Sequence, residues 1–308
     1  MQNSLVRGAL DQVSVDRIRE HIRLLAGVRH PVVSPDALER AADYISASFQ
    51  FLGYKVEPHS FCEGNREFRN IIATRSDKNH SENRVLVIAH YDTISSSPGA
   101  DDNASGVAVL LELARIMRPL QFERTVQFIA VNLEENEKVG DPGFLGSRAL
   151  AARAKEEGWK IEGVVVLESV AYAGEAVVQK SPEKMPAEFP KVGNFMAVVG
   201  NDLSAELVEA FGQVIQRYQI PLPIQFLIVP GTGELFPDTR RSDHSPFWDR
   251  GFKAVMVTDT CNFRNPNYHQ PTDTLETLNV EFAAEVCRAV GGVVADLGAI
   301  FSPKEEHG

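Results

Sequence analysis

Three short runs of largely apolar residues constrain the fold of this chain more than any other feature. They cover residues 85–89, 125–133 and 164–167, and aliphatic residues dominate each of them. Strands that are buried on both faces of a sheet have this composition, whereas strands with one wet face alternate between apolar and polar residues. Because predicted amphipathic helices separate the three runs, we expect an α/β protein in which helices cover both faces of a mostly parallel sheet.

The remaining elements follow from the period of the apolar residues and from helix start and stop signals. The predicted helices span 13–27, 35–53, 104–117, 143–157, 203–218 and 280–301, and the predicted strands span 54–61, 70–74, 85–89, 125–133, 161–167, 195–199, 225–229 and 253–258. We expect a single domain over residues 1–308, with the helices of residues 1–53 packed on it. Residues 171–191 have no clear period, and we expect them to form a surface excursion near the site.

Composition and charge disfavour several classes of function. The formal charge of −11 provides no basic surface for nucleic acid or an anionic membrane. Three widely spaced cysteines without a CxxC pair support neither a disulfide framework nor a thiolate zinc site. No apolar window is long enough to span a bilayer, and the first residues lack a secretory signal, so we expect a cytoplasmic protein. A secreted protein trimmed of its signal would look the same, and nothing indicates an oligomeric state.

Acidic residues and histidines follow the predicted central strands at the point where each strand ends. In open α/β sheets, ligands bind beyond the carboxyl ends of the strands. A single charged residue after a strand usually marks only the point where the chain reaches water, but four strand ends of this kind favour a common site. The residues concerned are His90 with Asp92, Glu134 with Glu135, Glu168, and His269 in the loop after the last strand.

Each of these residues has a metal-binding interpretation and a simpler alternative. His90 and Asp92 share a face of an extended strand, so one can bind a metal while the other orients it. A strand-end histidine hydrogen-bonded to an acid is an equally simple explanation. Of Glu134 and Glu135, one can bind a metal while the other acts as a base, although an exposed acidic turn has the same sequence. For His269, a surface histidine is the alternative.

The segment 98–106 places Asp101, Asp102 and Asn103 in a glycine-bounded turn before a predicted helix. A helix N-cap accounts for one of these three residues. The second acid costs repulsion unless a cation or the helix N-terminus offsets its charge. Imidazole and carboxylate ligands without thiolate suit zinc, and manganese or cobalt less well. The chain lacks HExxH, GxSxG, Walker and GxGxxG motifs, so other common catalytic templates are not indicated.

Five motifs, taken in their order and spacing, resemble the M28 family of metallo-aminopeptidases over residues 85–280. They are HYDT (90–93), GADDNASG (99–106), EEN with GFLGS (134–147), SDHSPFW (242–248) and NPNYHQPTDT (265–274). The resemblance implies a fold of the zinc-exopeptidase type, with three α/β/α layers around a central mixed, mostly parallel sheet. It also implies two zinc ions bridged by one aspartate, with manganese or cobalt as substitutes.

The resemblance implies a role for each matching residue. The two metal sites would be formed by His90, Glu168 and the bridging Asp102, and by Glu135, His269 and the same Asp102. Glu134 would be the general base, and Asp92 the carboxylate that orients His90. The residues expected in the pocket wall or in substrate binding are Arg241, Asp243, His244, Arg264 and Tyr268.

Two positions depart from the family pattern. Many members have an aspartate where this chain has Glu168, and no aspartate occurs between residues 160 and 180. The longer carboxylate should still reach the metal. Some secreted members have a cysteine pair before the SDH motif, where this chain has Arg240 and Arg241. This replacement weakens the analogy to secreted enzymes with apolar pockets for the first residue.

The implied activity is hydrolysis of the N-terminal residue of peptides by a water held between two metal ions, with Glu134 carrying its proton to the leaving amine. A dipeptidase, a carboxypeptidase or a glutaminyl cyclase on the same scaffold is the first alternative. Arg240, Arg241 and Arg264 flank the expected pocket and suit capture of a carboxylate, although pairing with the surplus acids is the simpler explanation.

Two further considerations separate these alternatives. A cyclase of this type works with one metal ion, whereas the five candidate ligands of this chain favour two. A receptor-like relative without activity is disfavoured, because such relatives usually lose ligands or the base. Here every ligand and the base has a candidate residue.

Overall fold

An eight-stranded mixed sheet runs through the centre of the protein in a computed structural model, which describes residues 2–75, 81–135, 137, 143–182 and 190–300. The strands lie in the order β1-β2-β4-β3-β5-β8-β6-β7 across the sheet. Their bounds are β1 Tyr54–Glu63, β2 Arg66–Arg75, β3 Asn83–His90, β4 Thr125–Val131, β5 Lys160–Glu168, β6 Met196–Asn201, β7 Ile224–Val229 and β8 Ala254–Thr258.

Eight helices are described, and all but two were predicted. Their bounds are α1 Gln2–Leu10, α2 Val15–Leu25, α3 Pro35–Phe51, α4 Gly106–Met117, α5 Leu145–Glu156, α6 Ala205–Tyr218, α7 Ser245–Trp248 and α8 Val280–Gly298. The unpredicted helices are α1, which buries only Val6, Ala9 and Leu10, and the single turn α7. Both are too short or too weakly periodic to give a clear apolar stripe. Residue 301, the predicted end of the last helix, lies outside the described residues.

The four central strands β4, β3, β5 and β8 run parallel, so their carboxyl ends lie at one edge of the sheet. The register places Val87 of β3 beside Phe128 of β4 and Val165 of β5. On one side of this block β2 is antiparallel to β4, and on the other β6 is antiparallel to β8. The strands β6 and β7 therefore run against the central four.

Helices cover both faces of the sheet, which confirms the predicted three-layer α/β/α class. Val87 and Ala89 face a core shared with most of the helices, whereas Leu86 and Ile88 face a smaller core that includes Leu150 of α5. Every side chain from Val85 to Ala89 is fully buried. The continuous apolar run follows directly from this double covering, because neither face of the strand meets water.

The N-terminal helices and part of the segment 171–191 pack into the protein. In the N-terminal part, α2 packs on α4 and α8 through Ile18, Ile22 and Leu25. The described part of 171–191 is not wholly superficial, since Ala171 and Gln179 are buried. Residues 183–189 of that segment lie outside the described residues. None of the described helices combines the length and apolar character that a membrane crossing requires.

Candidate metal centre

The fold gathers the predicted ligands at the carboxyl edge of the four parallel strands. His90 is the last residue of β3, and Glu168 is the last residue of β5. Glu134 and Glu135 follow β4 closely, and Asp102 lies in the turn over Ala100–Ser105 that leads into α4. His269 reaches the same edge from the loop after β8. Each ligand therefore comes from the end of a strand or from a loop that crosses that edge.

The gathered side chains form two groups, each with donor atoms within 4.8 Å of one another: His90, Glu134 and Glu168, and Asp102, Glu135 and His269. Asp102 connects the groups, because its Oδ1 lies 3.2 Å from His90 Nε2 and its Oδ2 lies 3.0 Å from His269 Nε2. One carboxylate thus presents one oxygen to each group, which is the arrangement of a bridging ligand. Glu134, predicted as the base, lies with the first ligand group.

Buried polar atoms without hydrogen-bond partners show that these residues fit a metal. Both carboxylate oxygens of Asp102 and Nε2 of His90 are buried and have no hydrogen-bond partner in the described part of the chain. Such atoms are costly to bury unless another ligand satisfies them. Carboxylate and imidazole donors without thiolate suit a divalent ion such as zinc.

The electrostatics of the two groups indicate the same requirement for positive charge. Burial raises the pKa of Glu134 well above its usual range, and it raises the pKa of Glu135 to about 8, with the neighbouring Asp102 adding to the effect. Burial alone would lower the pKa of His90, but Glu168 and Glu134 outweigh it and hold that pKa well above normal. Binding of a divalent cation to these groups would therefore compete with protons.

Asp92 supports the site in a different way. Its two carboxylate oxygens accept hydrogen bonds from the backbone N–H groups of Glu134 (3.1 Å) and Glu135 (3.0 Å). Nδ1 of His90 lies 3.3 Å from the carbonyl oxygen of Asp92 and 3.6 Å from its Oδ1. A proton on Nδ1 is therefore stabilised, which leaves the lone pair of Nε2 directed towards Asp102 and Glu168. The structure thus brings Asp92 and His90 into contact, and the orienting role of Asp92 stays a prediction.

The SDH motif contributes one contact to the site that was not predicted. Ser242, which was not singled out, donates a hydrogen bond of 2.7 Å from Oγ to Oε2 of Glu168. Asp243 is fully buried, and burial raises its pKa to about 7. His244 lies 2.7 Å from the carbonyl oxygen of Thr239 through Nε2 and packs edge-on against Trp248. The contacts of His244 are thus internal, and it does not line the cavity described next.

A cavity opens beside His269, and we call it the side cavity. Its lining includes the apolar residues Ala197, Val199, Leu227 and Met256, and the polar residues Arg241, Asn262, Asp238 and Tyr268. Arg241 and Tyr268, both predicted at the pocket, are among them. Arg264 does not line the cavity. It is buried behind the lining residue Gln179, where it donates to Gln179 Oε1 and to the carbonyl oxygen of Phe195, each at 2.8 Å.

Two residues that hold the Asp102 turn were not predicted. The carboxylate of Asp273 accepts hydrogen bonds from the backbone N–H groups of Asp101 (3.0 Å) and Asp102 (3.2 Å). Its position at the end of the motif 265–274 was a usable signal. The buried Arg29 donates to the carbonyl oxygens of Tyr91 (2.7 Å), Pro98 (3.0 Å) and Gly99 (3.1 Å). Nothing in the local sequence distinguishes it from a surface arginine.

The protein is thus of the α/β/α class, with imidazole and carboxylate groups gathered at the edge of the sheet where such folds bind ligands. A family model described as "Peptidase family M28" matches residues 70–294, and the chain therefore belongs to this family of peptide-bond hydrolases. This match confirms the resemblance that the five motifs indicated.

Individual relatives and solved structures agree with this assignment. Uncharacterized protein YfbL of Escherichia coli is 32% identical over 91% of this chain and 87% of that protein. Leucine aminopeptidase 1 of Arthroderma otae is 28% identical over 74% of this chain, which spans 57% of that relative. LapB from Legionella pneumophila shares the fold with a TM-score of 0.75 and 22% identity, over 96% of this chain and 75% of that chain. Macrostomum lignano glutaminyl cyclase also shares it, with a TM-score of 0.74 and 20% identity over 97% and 94%.

Proposed function

We propose that this peptidase is an aminopeptidase that binds two divalent metal ions, best suited to zinc, and removes the first residue of peptides. The observation that carries the proposal is the position of Asp102, whose two buried oxygens face two separate groups of donor atoms. One carboxylate placed between two such groups is suited to holding two cations together. A single-metal site would leave one group of buried acids uncompensated.

In this proposal His90, Asp102 and Glu168 hold one ion, and Asp102, Glu135 and His269 hold the other. Bound zinc would polarise the scissile carbonyl and lower the pKa of the attacking water. Ser242 fixes Glu168 through its hydrogen bond, and Asp92 fixes the backbone that carries Glu135. Hydrogen bonds within the protein thus hold these proposed ligands in position.

Glu134 is proposed as the general base. It is largely buried beside His90 and Glu168, and burial keeps its affinity for a proton high. A carboxylate in this position can accept the proton of the attacking water and deliver it to the leaving amine. The surplus of carboxylates at the site would also attract the ammonium group of a substrate, which favours cleavage at the amino end of a chain.

Metal content measured together with peptide hydrolysis tests this proposal. We expect about two zinc ions per chain, release of first residues from leucine and alanine p-nitroanilides, loss of activity with a chelator and recovery on addition of zinc. One metal ion with cyclisation of peptides that begin with glutamine would support a glutaminyl cyclase instead. Absence of bound metal when zinc is supplied would overturn the ligand assignment.

A further inference from the structure

The side cavity lies next to a proposed metal ligand. The ring of Tyr268 stacks on the ring of His269 with centroids 3.9 Å apart and planes 12° apart, and Tyr268 also lines the cavity. A substrate group that enters the cavity therefore lies beside the second ligand group. The residues that line the cavity therefore determine which substrate groups can lie next to the proposed peptidase site.

The floor of the side cavity is apolar. Ala197 and Val199 come from β6, Leu227 from β7 and Met256 from β8, and all four side chains are buried. Methylene groups of a substrate would pack against these side chains and leave water. The floor offers no charged group, so a substrate charge would have to lie at the rim.

Arg241 is the one cation among the described residues that line the side cavity. Its Nη1 donates to Oδ1 of Asn262 at 2.9 Å, which fixes the guanidinium near the ring of Tyr268. The nearest recorded carboxylate oxygen, on Asp238, lies 3.8 Å away, which is too far for a hydrogen bond. Nη2 also donates to the hydroxyl oxygen of Tyr268 at 3.4 Å. A guanidinium has five N–H donors, so these two bonds leave three N–H groups that can bind a carboxylate.

The two other arginines considered for this role have structural partners. Arg240 donates to both carboxylate oxygens of Asp249, at 2.8 and 2.9 Å. Arg264 is buried against Phe195, and its Nε and Nη1 donate to protein oxygens. Arg241 differs from both, because it lines the side cavity and its side chain remains 43% exposed.

We infer that Arg241 makes this site selective for substrates that carry a carboxylate close to the scissile bond. The carboxylate has two sources in peptides: the side chain of an acidic first residue, and the free carboxyl end of a very short peptide. Among the described residues that line the side cavity, Arg241 is the cation and Asp238 is an acid, so binding of a carboxylate in the cavity depends on Arg241. The preference in cleavage that we infer rests on the proposed function. The preference of the side cavity for binding a carboxylate does not.

Matched substrate pairs test the inference with the zinc-loaded enzyme. One pair is glutamyl and glutaminyl p-nitroanilide, and the other is leucyl-alanine and leucyl-alanine amide. We expect kcat/KM to be higher for the carboxylate member of one pair by at least about tenfold. The difference should lie mainly in KM, because Arg241 would contact the substrate carboxylate already in the ground state. The pair that shows the preference identifies the source of the carboxylate.

Substitutions show whether Arg241 causes the preference. In Arg241→Met the ratio within the pair should fall to about one, and Arg241→Lys should retain part of it, since lysine keeps the charge but not the fork. Arg240→Met is the matched control, because Arg240 is adjacent and bonded to Asp249, and it should keep the wild-type ratio. Equal rates within both pairs in the wild type, or a preference that survives in Arg241→Met, would overturn the inference.

A binding measurement separates this inference from the proposed function. If no peptide is cleaved, the aminopeptidase proposal fails, but calorimetric titration with glutamate against glutamine, and with leucyl-alanine against its amide, still reports on Arg241. Tighter binding of a carboxylate member that is lost in Arg241→Met supports the inference. Equal binding of both members in both titrations contradicts it.

Discussion

At the scale of single residues, Asp92 and Asp102 show how partners give two buried carboxylates different roles. The oxygens of Asp92 accept hydrogen bonds from the backbone N–H groups of Glu134 and Glu135, so the protein itself stabilises its charge. The oxygens of Asp102 face the imidazoles of His90 and His269 without hydrogen-bond geometry. The first carboxylate is therefore a support, and the second remains available to a cation.

Replacing Glu134 by glutamine tests its role as the base. The amide cannot accept the water proton, so we expect kcat to fall by about 10²- to 10⁴-fold with two zinc ions still bound. Glu156→Gln, at an exposed position of α5, is the control and should leave kcat unchanged. Because Glu134 lies within the first donor group, loss of one zinc ion in Glu134→Gln would instead make it a ligand.

His244 should make the metal-free protein sensitive to acid. Burial lowers its pKa to about 3, whereas a histidine in the unfolded chain has a pKa of about 6.5. Between these values the unfolded state binds a proton that the folded state does not, so the contribution of His244 to stability falls as pH falls. The expected slope is up to about 1.4 kcal/mol per pH unit.

Urea unfolding from pH 7 to pH 4.5, with a chelator present, checks this prediction. His244→Gln removes the titration and keeps a donor for the carbonyl oxygen of Thr239. The free energy of unfolding of the variant should depend less steeply on pH than that of the wild type. Parallel pH dependences for the two proteins would contradict the prediction.

At the scale of elements, the sequence predicted the strands and helices whose apolar residues form a regular pattern within the element itself. The central strands β3, β4, β5 and β8 lie within about two residues of their predicted positions, because burial on both faces leaves a continuous apolar run. The hairpin of β1 and β2 extends further than predicted, since the residues around its turn are polar or charged. The roles of Arg29 and Asp273 depend on contacts between distant segments, which periodicity does not report.

The segment between α2 and α3 illustrates such a distant contact. Arg29 lies outside residues 70–294, yet its side chain binds carbonyl oxygens after β3 and in the loop before the Asp102 turn. It also donates to the carbonyl oxygen of Leu25 at the end of α2. One buried guanidinium thus joins the N-terminal helices to two loops of the metal centre.

Replacing Arg29 by methionine should weaken metal binding as well as the fold. We expect zinc affinity, measured by competition with a chromogenic chelator, to fall at least about tenfold, because the loops that carry His90 and Asp102 lose a common anchor. Arg19→Met, which removes an exposed ion pair of α2 with Glu281, is the control. Unchanged zinc affinity with a lower melting temperature would limit Arg29 to a structural role.

At the scale of the whole molecule, the metal centre concentrates negative charge in a protein that is already acidic. Nine acidic side chains are buried in the described residues, and most of them lie at or next to the centre. They are Asp92, Asp101, Asp102, Glu112, Glu134, Glu168, Asp243, Asp259 and Asp273, and Glu135 is almost as buried. The formal charge of the chain is −11. Cation binding should therefore contribute to folding stability as well as to the reaction.

Thermal unfolding with and without zinc measures this contribution. A ligand at 100 times its dissociation constant stabilises the folded state by about 2.7 kcal/mol, which corresponds to a rise in melting temperature of roughly 4 °C for a chain of this length. Asp102→Asn should lose most of the zinc-dependent rise, whereas Glu156→Gln should keep it. A melting temperature that does not respond to zinc would contradict a coupled metal site.

The reversed direction of β6 and β7 has a consequence for how enzymes of this design can diversify. Every proposed ligand comes from the parallel strands or their loops, whereas much of the floor of the side cavity comes from the reversed pair. Substitutions at Val199 or Leu227 can thus reshape the cavity without moving a ligand. Part of the side cavity is therefore built from strands that carry no proposed ligand, so the shape of the cavity can change among related enzymes while the ligand set stays the same.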